Sequence, residues 1–169
     1  MPDVTLRPAR GGDAPAIAAI WAHWAATSTA TFTTDPPGVR AVATLIAERP
    51  VFLVAEAGAE GADGICGYAT YAPFRAGPGY ARTMEHSIHL APERRGQGIG
   101  AALLTGIEDH AIRAGQRSLI GGLSAENAAA HAFHLRHGFL EAGRLRDAGH
   151  KFDRWIDLIL MQKMLPRAA

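Results

Sequence analysis

Apolar positions along this chain change their period several times, and each change marks the edge of an element. Residues 4–7 read as a short strand. Asp13 can cap a helix with Pro15 near its start, and Ile17, Ile20, Trp21 and Trp24 give that helix an apolar face to about Ala26. Residues 27–37 form a loop of Ser, Thr and Pro. A second helix over 39–48 is ended by Pro50, and the continuous apolar run at 51–55 predicts a strand buried on both faces. A turn over 58–64 leads to a strand over 65–71. A Gly- and Pro-rich loop over 73–79 carries Arg75, and 82–90 is the next strand. An amphipathic run over 101–114, stopped by Gly115, is a third helix. Residues 119–123 read as a strand and 127–136 as a helix stopped at Gly138. Strands at 140–145 and 155–161 pair around a long loop. Helices and strands mix along a single sheet with no internal repeat, which predicts an α/β fold. Residues 1–165 are expected to form one domain and 166–169 a tail.

Composition narrows the function. The chain has 169 residues, 48% of them hydrophobic, enough for a core of ordinary domain size. A formal net charge of +1 argues against nucleic acid or an anionic membrane as main partner. The single cysteine, Cys66, excludes an intramolecular disulfide and a cysteine-rich metal site, and is expected to pack as a small hydrophobe. No apolar run approaches the ~18 residues of a membrane span. The first residues include Asp3 and Arg7 and no apolar segment of the signal-peptide kind, so a soluble, cytoplasmic protein is expected. His131, His134 and His137 could put two ligands on one helix face, but no Cys, Asp or Glu completes a set nearby, so no metal is expected.

The most informative stretch is Arg94, Arg95, Gly96, Gln97, Gly98, Ile99 and Gly100, between a strand and a helix. Glycines let backbone N–H groups come close to a phosphate, and the helix N-terminus adds partial positive charge. The arginines add full charges in a planar fork. A P-loop would need Lys and then Ser or Thr after its last glycine, where this chain has Ala101 and Ala102. A dinucleotide fingerprint would space its glycines G-x-G-x-x-G with an acid ending the next strand; here the spacing is G-x-G-x-G and no acid follows Ile120 at the strand's end. A helix start that is merely glycine-rich is the plain alternative.

Arg95, Gly98 and Gly100, as Arg-x-x-Gly-x-Gly, resemble the pyrophosphate loop of the GCN5-related N-acetyltransferases. Thr83 to Ser87, Ser124 to Ala129, His134 to Phe139, Gly143 to Arg146 and Lys151 to Asp157 are similar to one branch, the phosphinothricin and methionine sulfoximine acetyltransferases, as is the segment Thr29 to Pro36. The resemblance implies a mixed, mostly antiparallel sheet of six to seven strands with flanking helices. It implies acetyl-CoA as co-substrate and a homodimer. It assigns the coenzyme's pyrophosphate to Arg95, Gly96, Gln97, Gly98, Ile99, Gly100 and Ala101. Backbone groups of Ile88, His89 and Leu90 would bind the pantetheine arm and polarise the thioester, and Asn127 would bond that arm as well as cap its helix.

Two side chains are candidates for proton transfer. Glu85 would be the general base, through a water, if burial raises its pKa; a surface carboxylate is the plain alternative. His134 would protonate the departing thiolate, since imidazole titrates near ~6.5. In this branch the positions of Arg75, Ala76 and Gly77, and of Glu85, His86 and Ser87, line the acceptor pocket, with Phe32 and Trp155 as apolar walls. At pH 7 an α-amine of pKa ~8 is roughly 10% neutral and a lysine about 0.04%, which favours α-amines. The resemblance implies a small amino-acid analogue as acceptor: phosphinothricin, methionine sulfoximine or methionine sulfone. Acetylation of protein α-amino groups and a non-catalytic acyl-CoA-binding module are the competing functions.

Overall fold

The computed structural model describes residues 4–58 and 64–167. Most of the turn expected at 58–64 and the end of the expected tail lie outside the described residues. Among the described residues, seven strands form one sheet in the order β1-β2-β3-β4-β5-β7-β6. They are β1 (Val4–Pro8), β2 (Val51–Ala57), β3 (Gly64–Pro73), β4 (Thr83–Leu90), β5 (Ser118–Ser124), β6 (Leu140–Lys151) and β7 (Arg154–Met164). Helices α1 (Ala14–Thr27), α2 (Val39–Glu48), α3 (Ile99–Arg113) and α4 (Ala128–Arg136) flank it. Every strand pair is antiparallel except β4 with β5. The mixed, mostly antiparallel expectation therefore holds.

β2 is covered on both faces, as its unbroken apolar run predicts. Phe52 and Val54 join α1 and α2 in one core, and Val51, Ala55 and Ala57 join α3 in the other. Cys66 is buried in the α3 core. No helix among the described residues is long and apolar enough to cross a membrane.

Two local expectations need correction. Asp13 precedes α1, but its carboxylate makes no helix cap. It accepts from the Arg10 N–H at 2.7 Å and pairs with Arg7, which also holds Glu56. A guanidinium between two carboxylates outcompetes the neutral amides of the helix end. The long loop between the last two strands is also absent. β6 and β7 run on to a two-residue turn at Phe152 and Asp153, with φ of 52° and 57°. Such left-handed hairpin turns are signalled by Asn-Gly or Asp-Gly, and neither occurs here. The polar strand β6 also bulges between Leu145 and Gly149, where the Asp147 N–H donates to Asp157.

Candidate active site

The site grows from the place where β4 and β5 part. Their parallel pairing covers only Thr83–His86 with Ser118–Gly121. β4 continues along β3 to Leu90, while β5 continues along β7. The Ala91 N–H donates to the Cys66 carbonyl, so the alternation of an antiparallel pair turns the backbone groups of Ile88 and Leu90 away from β3. Ile88 thus offers its N–H and C=O to the gap. The Leu90 carbonyl is already taken, by Trp24 Nε1–H at 2.7 Å. His89 turns its backbone toward β3 and contributes a ring instead, stacked on Trp21 and held neutral by burial, its pKa down to about 4.

Two adjacent glycines in β5 make the room. An added Cβ on Gly121 would stand 3.0 Å from His134 Nε2 and from His86 Cε1. An added Cβ on Gly122, on the opposite face, would stand 3.0 Å from a Glu85 carboxylate oxygen. Glycine pairs inside a strand signal close approach, and this was the readable cue to both positions.

On one side of the gap lies a cavity of about 470 Å³. Its walls include Ile88, His89, Leu90, Arg95, Gly96, Gly98, Gly100, Ala101 and Asn127, nine of the residues expected at the coenzyme. Gln97 and Ile99 are not in the wall: the Gln97 amide donates back to the Glu93 carbonyl, and Ile99 is buried in the core. Gly98 holds the left-handed conformation, φ 80°, at the start of α3. The first bond of that helix runs from the Ala102 N–H to the Gly98 carbonyl, so the N–H groups of Ile99, Gly100 and Ala101 point out of its end. Arg95 reaches in from the loop, over the Trp24 ring at 5.4 Å, and Arg136 from α4. Free amides between two guanidiniums fit a pyrophosphate, and the free edge of β4 fits an extended amide-containing arm. Sequence reasoning missed Trp24 and Phe133 in this wall, and an apolar helix stripe gives no hint which of its rings faces a ligand.

On the other side lies a cavity of about 370 Å³, walled by Thr29, Ala30, Thr31, Phe32, Glu85, His86, Ser87, Leu158 and residues 121–124 among others. Ile88, His89, Asn127, Ala130 and His134 line both cavities, which therefore meet at the gap. Glu85 keeps solvent access within the open cavity, yet enough protein surrounds its carboxyl for burial to raise its pKa; Arg49 and Arg75 oppose the rise. Asn127 caps α4, accepting from the Ala130 N–H at 3.0 Å. Arg75, Ala76 and Gly77 are in neither wall. They sit on the β3–β4 loop, where Arg75 lies 5.2 Å from the Phe74 ring and reaches Glu85 only through its field. Trp155 is 64% exposed beside His150, outside both walls.

His134 is buried at the meeting point. Its Nδ1–H donates to the Ala130 carbonyl at 2.7 Å, which leaves the Nε2 lone pair to accept from His86 Nε2–H at 3.0 Å. Burial lowers both pKa values, that of His86 to about 3. The pair is neutral at rest, and with both ring nitrogens occupied His134 shows the cavity neither a free N–H nor a free lone pair until its bond to His86 opens. The neighbouring candidates separate cleanly: His131 faces Glu141 at 3.1 Å, and His137 bonds its own helix at Phe133.

Comparison with known proteins agrees with this geometry. The model of the Acetyltransferase (GNAT) family matches residues 17–139, and the chain belongs to that family. It is 38% identical over 167 residues to a phosphinothricin N-acetyltransferase of Alcaligenes faecalis, covering 95% of this chain and 82% of that one. It is 35% identical over 105 residues to an L-methionine sulfoximine/L-methionine sulfone acetyltransferase of Salmonella typhimurium, covering 62% of this chain and 61% of that one. A phosphinothricin acetyltransferase of Sinorhizobium meliloti, solved with AcCoA, superposes with TM-score 0.89 at 31% identity over 96% of this chain and 88% of that one. The chain is an acetyl-CoA-dependent N-acetyltransferase of the phosphinothricin and methionine sulfoximine branch.

Proposed function

We propose that this enzyme transfers acetyl directly to the α-amine of a small amino-acid analogue of the phosphinothricin, methionine sulfoximine or methionine sulfone kind. The observation that carries the reading is Glu85 in the wall of a compact polar cavity that meets the coenzyme-side cavity at the β4–β5 gap. A volume of about 370 Å³ suits an amino acid and leaves little space for a folded chain. The likeness to relatives named for these acceptors supports it.

Acetyl-CoA supplies an activated acyl group on a thiol leaving group. The amides of Ile99, Gly100 and Ala101, with Arg95 and Gly98, hold the pyrophosphate end. The Ile88 N–H, facing the gap, polarises the acyl carbonyl. Glu85 takes the ammonium proton through a water, its raised pKa bringing it nearer the pH at which a base is useful. Arg75, through its field at Glu85, and His86 and Ser87 favour an anionic or polar acceptor. His134 returns a proton to the thiolate. Its resting tautomer has no proton on Nε2. Once the bond to His86 opens, His134 therefore takes the second proton that the amine nitrogen loses as the C–N bond forms. As a transient imidazolium it passes that proton to the thiolate as the C–S bond breaks. A homodimer in the cytoplasm completes the reading, on branch likeness.

The test is a thiol-release screen of acetyl-CoA against methionine sulfoximine, methionine sulfone, phosphinothricin, common amino acids, polyamines and short peptides. Turnover confined to the three analogues and related amino acids is the expected result. Preference for peptides would move the function to protein α-amines, and coenzyme binding without thiol release for any amine would make the chain a carrier.

A further inference from the structure

One positive charge in this chain is folded inward. Lys151, the last residue of β6, is 3% exposed, and its Nζ donates to the carbonyls of Ser28 and Thr31, both at 2.7 Å. It also lies 5.2 Å from the Phe152 ring centroid. No carboxylate pairs with it among the described residues. Burying an ammonium against neutral carbonyls alone is a costly way to gain stability, and burial lowers its pKa. What the arrangement secures is geometry. The two carbonyls belong to the α1–α2 connection, which has no helix or strand of its own, and this connection supplies Thr29, Ala30, Thr31 and Phe32 to the wall of the second cavity.

The hairpin grips the same loop a second time. Gly149, two residues before Lys151, receives the Phe32 ring so closely that an added Cβ would stand 2.5 Å from it. Residues two apart on a strand share a face, so ammonium and glycine act side by side. From the other flank, Glu126 pairs with Arg154 and reaches the Thr29 hydroxyl.

We propose that Lys151 is a positioning residue for the acceptor: with Gly149 it clamps the α1–α2 loop, so that Thr29, Thr31 and Phe32 form the acceptor-side wall. This rests on the acceptor reading given above. It makes the β6–β7 hairpin a determinant of which amine is accepted, although the hairpin itself contributes only Leu158 to that wall.

The test uses the full chain and a Lys151→Met variant, which keeps the stem and removes the ammonium. Hydrogen exchange of residues 28–33 should accelerate, while that of the first turn of α3 stays at the wild-type rate. The KM for methionine sulfone should rise ~10-fold or more, since misplacement of about 1 Å in a binding wall costs up to ~10²-fold, with the acetyl-CoA KM within about twofold. Should Lys151→Met not fold, Gly149→Ala displaces Phe32 with the ammonium left in place and should give the same split. Unchanged exchange in the loop, or equal rises in both KM values, overturns the clamp. A wild-type enzyme inert toward methionine sulfone, methionine sulfoximine and phosphinothricin alike overturns the acceptor reading instead, and the exchange measurement then decides the clamp alone.

Discussion

Glu85→Gln separates a base from a structural carboxylate, because the two roles predict opposite effects on stability. The substitution keeps the side chain's shape beside Gly122 and removes its charge together with the ability to take a proton. Loss of general-base catalysis costs ~10²-fold or more in kcat, about 2.7 kcal/mol of barrier. Burial raises the folded pKa of Glu85 above its unfolded value. Between those two values the native state holds more protons than the unfolded chain, so ionising Glu85 lowers stability as pH rises through the window. The penalty is complete above the folded pKa, and glutamine does not carry it. The variant's Tm at about pH 7 should therefore equal or exceed wild type, whereas loss of a stabilising ion pair would lower it.

The assay is thiol release over a range of methionine sulfone concentrations at each pH of an acid-to-alkaline series, alongside calorimetry with acetyl-CoA. Wild type should show an acid limb in kcat/KM with its midpoint above the ordinary carboxylate value of 4.5. The variant should lose that limb and bind acetyl-CoA as wild type does. Turnover within a factor of two of wild type would remove Glu85 from the reaction. A fall in turnover accompanied by equal falls in Tm and coenzyme affinity would make it structural.

Gly98→Asp should weaken acetyl-CoA binding ~10-fold or more, because the carboxylate stands where the pyrophosphate is held; Gly98→Asn, equally tolerant of φ 80°, should weaken it far less. Both side chains bear the same left-handed strain, so any fall in Tm should be common to the two variants, and wild-type affinity of Gly98→Asp by calorimetry would refute the loop assignment. Gly121→Ala places a methyl 3.0 Å from both imidazoles and must spread the His86–His134 pair. Overpacking of this sort costs about 1–3 kcal/mol, or ~2–4 °C of Tm per kcal/mol at this chain length, and a melting curve superimposable on wild type would show that the pair has slack.

Much of this architecture was legible because its local signals and its tertiary role agree. β2 reads as doubly buried from its own residues and is so, since apolar side chains at both parities demand cover on both faces. Gly98 and Gly100 read as a phosphate loop because left-handed backbone and free amides are requirements of the local chain. Asn127 reads as a cap and makes that bond. Illegible features depend on partners distant in sequence. Nothing near Asp13 announces that Arg7 and Glu56 will claim its carboxylate. Nothing near Lys151 announces that its amine will meet Ser28 and Thr31, more than a hundred residues away. The branch likeness put Arg75, Ala76 and Gly77 in the acceptor wall, while the β3–β4 loop holds them outside it.

His134 shows why position and protonation must be argued separately. Sequence places an imidazole in the last turn of α4, and the fold delivers it to the meeting point of the two cavities. Its chemistry there is set by the Ala130 carbonyl, which fixes the proton on Nδ1, and by His86, which fills Nε2. The first is a contact within α4; the second exists because Gly121 leaves the rings room, at the residue where β5 turns away from β4. The glycine that admits the imidazole pair therefore stands at the end of the β4–β5 pairing, and Gly122 beside it seats Glu85 on the opposite face. A two-residue sequence feature thus seats the candidate base and the candidate acid on opposite faces of β5, the acid where the two cavities meet and the base in the wall of the second.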